Sequence, residues 1–182
     1  MTQNKRRIDT KMLCIMGLMT AMYIILSKFF SIHIGNLRIT FGSLPIILVA
    51  MLFGPLPAAA IAFVGEFLLQ LLGYGFTPTT VLWCIPPVFR AVIVGFGWRA
   101  ITKRGANTAV QTGMLAAILI LSAIVVTLSN TLVIWLDSVI FNYFTEAYVF
   151  GQFAARLVTG IVTAVVMTVV ALPLEKAIRR VI

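Results

Sequence analysis

The sequence predicts an all-α polytopic membrane protein, a bundle of six transmembrane helices with both termini in the cytoplasm. Three observations carry this expectation. Hydrophobic residues make up 61% of the 182 residues, only 10% are charged, and the mean hydropathy is +1.08, a composition of membrane bundles rather than soluble domains. A bilayer core of about 30 Å takes roughly 20 residues of helix, so the chain holds about six spans. That leaves no room for a soluble catalytic domain. Finally, the basic residues of a chain with net charge +9 sit at the ends of apolar segments and not along one polar face. That is the distribution of topology signals, and it argues against nucleic-acid binding.

The segments follow in order. A polar, basic start, MTQNKRRIDTK, precedes an apolar first helix at about 12–30, read as an uncleaved span rather than a signal peptide. Gly17 and Ala21 stand four apart on it, a pair of small residues that lets another helix approach closely. The stretch KFFSIHIGNLR interrupts the apolar pattern and reads as a loop holding the only histidine, His33. A second helix spans about 39–54, and Gly54 to Pro57 reads as a tight turn, since proline cannot continue a helix that has ended at glycine.

The third helix, about 58–73, carries Glu66 and Gln70 one turn apart on one face. After the turn GYGFTPTT, a fourth helix covers about 81–100, with a kink expected at Pro86 and Pro87 and Arg90 just beyond it. A basic loop leads to a fifth helix, about 112–135, with Asn130 near its far end. The acidic, aromatic stretch LDSVIFNYFTEA leads to a sixth, about 148–174, bearing Gln152 and Arg156. Cys14 and Cys84 lie in apolar segments without metal-ligand spacing and read as small buried hydrophobes. No metal or cofactor site is expected.

Orientation follows from counting. With six spans, Lys5, Arg6, Arg7, Lys11, Arg99, Lys103, Arg104, Lys176, Arg179 and Arg180 fall on the cytoplasmic side, against Lys28 and Arg38 outside. The asymmetry fits the positive-inside rule, and two basic termini favour an even number of spans. Asp137 and Glu146 are then expected outside.

That topology sets Glu66, Arg90 and Arg156 at one level, roughly 10–15 Å below the outer surface at about 1.5 Å per residue. Charges inside a bilayer are costly and face a bundle interior or a watery cavity. The bland reading is that Glu66 pairs with one arginine and glues helices together. Such a pair still leaves one positive charge, for which a solute carboxylate is the natural partner, because guanidinium grips carboxylate with two prongs. Tyr74, Trp83, Trp135, Tyr143 and Tyr148 lie near the same face. An interfacial aromatic belt accounts for at least half of them, and Trp83 is the best candidate to stack on a flat ring.

These residues carry a resemblance. The small-residue pair on the first helix, the run IGNLRITFGSLPIILVAMLFGPLPAAAIAFVGEFL and six spans in 182 residues resemble the substrate-binding S-components of energy-coupling factor (ECF) vitamin transporters. The folate-type branch is nearest, through LRITFGSLP followed by LFGP. After the third helix the chain departs from that branch, with YGFTPTTVLWCIPP in place of a phenylalanine-proline-glycine-phenylalanine segment.

The resemblance implies a vitamin held in an outward cavity closed by three connecting loops. It also implies a transmembrane coupling subunit and two cytoplasmic ATPases as partners, with Gly17 and Ala21 at the coupling contact. The candidate substrate site is then Arg38, Glu66, Gln70, Tyr74, Trp83, Arg90, Asn130, Tyr148, Gln152 and Arg156. An anionic vitamin is expected, folate-like first and pantothenate-like or a cobalamin next.

Two rival readings belong to other classes. A stand-alone secondary transporter commonly shows inverted repeats, and no matching halves occur. An intramembrane enzyme would need catalytic machinery, but one histidine excludes HExxH, no GxSxG occurs, and Glu66 has no second carboxylate near it in sequence. No GxxxxGK[ST] loop is present either, so ATP-driven transport would draw its energy from partner subunits.

Overall fold

The computed structural model describes residues 10–34, 37–105 and 107–180. Among these residues eight helices and one hairpin follow in the order α1 (Thr10–Phe29), β1 (Ser31–Ile34), β2 (Leu37–Thr40), α2 (Ser43–Leu52), α3 (Pro55–Tyr74), α4 (Thr80–Trp83), α5 (Ile85–Lys103), α6 (Thr108–Ile140), α7 (Glu146–Val149) and α8 (Phe153–Arg179). Five stretches are long and apolar enough to cross a membrane: α1, α3, α4 with α5, α6, and α7 with α8. The sixth expected span is α2, with only ten residues.

The fold centres on α2. Its sequence SLPIILVAML has no polar residue after Ser43, and a helix apolar all round belongs in an interior. Every residue from Ser43 to Met51 is buried. Around it α1 packs on α3, α3 on α5, α5 on α6 and α6 on α8, while α2 touches α1, α3, α5 and α8.

At one end of the bundle the α2–α3 turn seats itself on α5. Gly54 takes φ +98°, a conformation that side chains rarely adopt, and the Arg99 guanidinium covers it. Pro55 opens α3, where its missing N–H costs nothing. The expected turn over Gly54 to Pro57 is therefore shorter, with both prolines inside the first turn of α3.

Four further expectations shift. KFFSIHIGNLR is not a loop: β1 and β2 pair antiparallel, with Ser31 opposite Thr40 and His33 opposite Arg38. The helix expected over 81–100 is broken rather than kinked. It stops after Trp83 and restarts at Ile85, because Pro86 and Pro87 lack the N–H groups a continuing helix would use and instead occupy the first turn of α5. The helix expected over 112–135 extends to Ile140, about 50 Å at 1.5 Å per residue and longer than a bilayer core. Its last turn therefore brings Asp137 into the helix. Finally, the helix expected from residue 148 begins at Phe153, after the separate turn of α7, so Arg156 lies in the first turn of α8 and Tyr148 on α7.

Candidate functional site

Two connected chambers open between the helices. The wider, about 730 Å³, is bounded by α1, α3, the α4–α5 break and the end of α6; the narrower, about 310 Å³, lies among α2, α5, α6 and α8. They share Thr40, Ser43, Arg90, Val126 and Asn130, so they form one cavity with Arg90 at the junction. Thr40 and Ser43 mark where α2 points its N-terminal, electropositive end into that space.

In the wider chamber Glu66 accepts hydrogen bonds from the Tyr23 hydroxyl and from Gln70 Nε2 at 2.9 Å. The Tyr23 ring lies on Gly65, where a Cβ would stand 2.6 Å from Cδ1. Glycine is what lets the phenol reach the carboxylate one residue along. Opposite, Trp83, Pro86 and Pro87 line the wall beside the broken helix, and Tyr74, Tyr143, Tyr148, Asp137 and Lys28 complete the chamber.

In the narrower chamber Arg90 and Arg156 face a wall of hydroxyls. Ser122, Thr127, Thr159 and Thr163 each donate to a backbone carbonyl three or four residues earlier, which leaves the guanidinium groups as the strong donors. Arg156 Nη2 reaches the Tyr148 carbonyl at 3.3 Å, and its buried Nη1 has no partner among the described residues.

The pairing of Glu66 with an arginine that the bland reading requires is not formed among the described residues. Among the described residues no carboxylate lies within ion-pair distance of Arg90 or Arg156, and Glu66 is satisfied by neutral donors. The bland reading, a salt bridge gluing helices, is thereby set aside. Counting Lys28, Arg90 and Arg156 against Glu66 and Asp137, the described residues of the cavity lining carry three cations and two carboxylates.

Of the residues expected at the site, Glu66, Gln70, Tyr74, Trp83, Arg90, Asn130 and Tyr148 line the wider chamber, and Arg90, Asn130 and Arg156 the narrower. Gln152 lines neither: it is the residue before α8, and its carbonyl accepts the Arg156 N–H at 2.9 Å. Arg38 falls on β2, its side chain outside the described part.

Sequence reasoning missed Tyr23, Thr127, Thr159 and Thr163, and it placed Lys28 and Asp137 elsewhere. A tyrosine in the middle of a membrane helix was a legible signal, because a buried phenol needs a partner. The threonines gave none, since threonine is ordinary in such helices.

Comparison with known proteins now has a fold and a cavity to stand on. No protein of curated function matches the chain by sequence. Among solved structures it superposes on FolT bound with folic acid, with TM-score 0.65, 21% identity, and 93% of this chain and 95% of that one covered. It also superposes on the S-component for biotin from an ECF-type ABC transporter, with TM-score 0.60, 20% identity, and 97% and 95% covered. A third match is the S component of a bacterial ECF transporter, with TM-score 0.58, 22% identity, and 98% of each chain covered. Likeness at these identities establishes the fold.

The family is established by sequence: the model of the ECF-type riboflavin transporter, S component, matches residues 7–180. With that match over nearly its whole length, the chain belongs to the S-component family of ECF vitamin transporters and is a multi-pass protein of the cell membrane.

Proposed function

We propose that this S-component captures a flat-ringed vitamin bearing a carboxylate, folate-like as first choice, in a cavity open to the outside. The observation that carries this is the pair Arg90 and Arg156 on one cavity, with no carboxylate in ion-pair reach and a buried Arg156 nitrogen unpartnered among the described residues. A guanidinium nitrogen buried without a partner is costly, and a ligand carboxylate satisfies it with matched geometry.

The rest of the lining suits the other end of such a molecule. Trp83 with Pro86 and Pro87 offers flat apolar surface to a ring, and Glu66, held by Tyr23 and Gln70, offers acceptors to the amino and ring N–H donors of a pterin. Pantothenate has the carboxylate and lacks the ring. A cobalamin is far bulkier than either.

Riboflavin, named in the description of the matching family, is the second reading: it has the flat ring but no charge for the arginines. Calorimetric titration of the purified protein decides between them. Folic acid should give saturable binding at about micromolar concentration or tighter, with riboflavin giving none. Riboflavin binding without folic acid binding would assign the arginines to another purpose.

Uptake then draws on a coupling subunit and two ATPases, and α1 offers the docking face. Gly17 and Ala21 are exposed along with Leu13, Leu18 and Ile25, and nothing stands within 4 Å of where a Gly17 Cβ would be. Such a stripe admits close helix approach. Replacing Gly17 or Ala21 with tryptophan should abolish uptake in cells while folic acid binding to the isolated protein persists. Loss of both together would remove α1 from the coupling contact.

A further inference from the structure

Asp137 lies in the last turn of α6, where the negative end of the helix dipole disfavours a carboxylate. Its two oxygens are used in two different directions. Oδ1 accepts from Thr79 Oγ1 at 2.5 Å, across 58 residues of sequence, and Oδ2 accepts from the Tyr143 hydroxyl. Thr79 belongs to the connection between α3 and α4, and Tyr143 to the connection between α6 and α7. These are two of the segments that border the wider chamber, through Thr77 on one side and Tyr143 on the other.

Both donors are themselves held in place. Thr79, buried, shares a hydroxyl network with Thr77 and Thr80. Asn142 takes φ +58°, which turns the chain at the end of α6 so that the Tyr143 N–H returns to the Ser138 carbonyl at 3.0 Å and its ring comes back beside Asp137. Partial burial, then the hydrogen bond and charge of Asp137, push the Tyr143 phenol upward, so it stays a donor. Tyr143 also packs edge-on against Tyr148 at 5.6 Å, and the Tyr148 carbonyl holds Arg156.

We infer that Asp137 is a positioning residue that clasps the two connections across the cavity, narrowing the way in beside Arg156. Its oxygens are spent on the connections, so its removal widens the way into the cavity.

The test needs no ligand, so it is independent of which vitamin the protein takes. In a Cys14→Ser, Cys84→Ala background, Ser43→Cys places a thiol on the cavity wall and Ala91→Cys places one in the packed core. The rate of maleimide labelling is followed for each in the purified full-length protein. Adding Asp137→Ala, or Thr79→Val with Tyr143→Phe, should speed labelling at the Ser43 position by at least about tenfold, as expected for loss of hydrogen bonds to a charged acceptor. The Ala91 position should stay slow, and combining all three substitutions should add nothing further.

Three results would overturn the clasp. One is unchanged Ser43 labelling in either variant. Another is acceleration by Asp137→Ala alone, with the double variant silent. The third is equal acceleration at Ala91, which would make Asp137 a support of the whole bundle.

Discussion

Replacing Arg156 with glutamine is expected to weaken binding of the carboxylate ligand by about 2–5 kcal/mol, roughly thirtyfold to a few thousandfold, because truncating one side of a buried charge pair costs that much. Arg90→Gln should fall in the same range, since Arg90 stands where the two chambers meet. Arg156→Lys should lie between, keeping the charge and losing the second prong. Glu66→Gln is expected to cost less, because Glu66 is already held by Tyr23 and Gln70 and meets only neutral donors of the ligand. Titration calorimetry with folic acid reads all four variants. If both arginine-to-glutamine variants bound normally while Glu66→Gln did not, the ligand would be neutral or cationic.

The second large effect concerns the fold. Gly95 on α5 faces the backbone of Pro55, and a Cβ there would lie 2.6 Å from both the Pro55 Cα and N. A flexible side chain could move aside, but a helix start fixed by proline cannot. Gly95→Leu should therefore exceed the usual cost of overpacking, at about 3 kcal/mol or more, and lower the melting temperature in detergent by about 6–12 °C. Gly113→Ala is the matched control. Nothing stands within 4 Å of its Cβ position, and alanine favours the helix, so the melting temperature should hold or rise slightly. A Gly95→Leu protein that melted like the parent would mean that the α2–α3 turn is not seated on α5.

What could be read from the sequence was whatever composition and isolated charge announce. Apolar runs located the spans, and Glu66, Arg90 and Arg156 were conspicuous because little else in their segments is polar. What could not be read was partnership. Spacing along separate helices does not say which groups meet, and nothing in it pointed to Tyr23, 43 residues before Glu66, as the carboxylate's partner.

Helix ends were the other weak point. Pro86 and Pro87 signal a disturbance in a helix, and the same two residues serve equally as a kink or as a first turn. Asp137 was assigned to a loop because an acidic residue after Trp135 suggests the end of a span, whereas α6 continues beyond the thickness of the bilayer core. KFFSIHIGNLR reads as a loop because it breaks the apolar pattern, a reading that leaves unused the alternation of SIHI and LRIT, the period-2 signal of strands.

The shortness of α2 has a consequence for how the protein is made. Ten residues give about 15 Å of helix, half the hydrocarbon thickness, so α2 cannot enter a bilayer as an independent span in the way α6 can. Its place must be created by the helices that surround it, α3, α5 and α8 among them, and of these α8 leaves the ribosome last. Membrane integration of this segment is thereby tied to the synthesis of α8. Ribosome-nascent chains stopped before α8 should hold α2 in a form that proteases or lipid-soluble reagents can still reach.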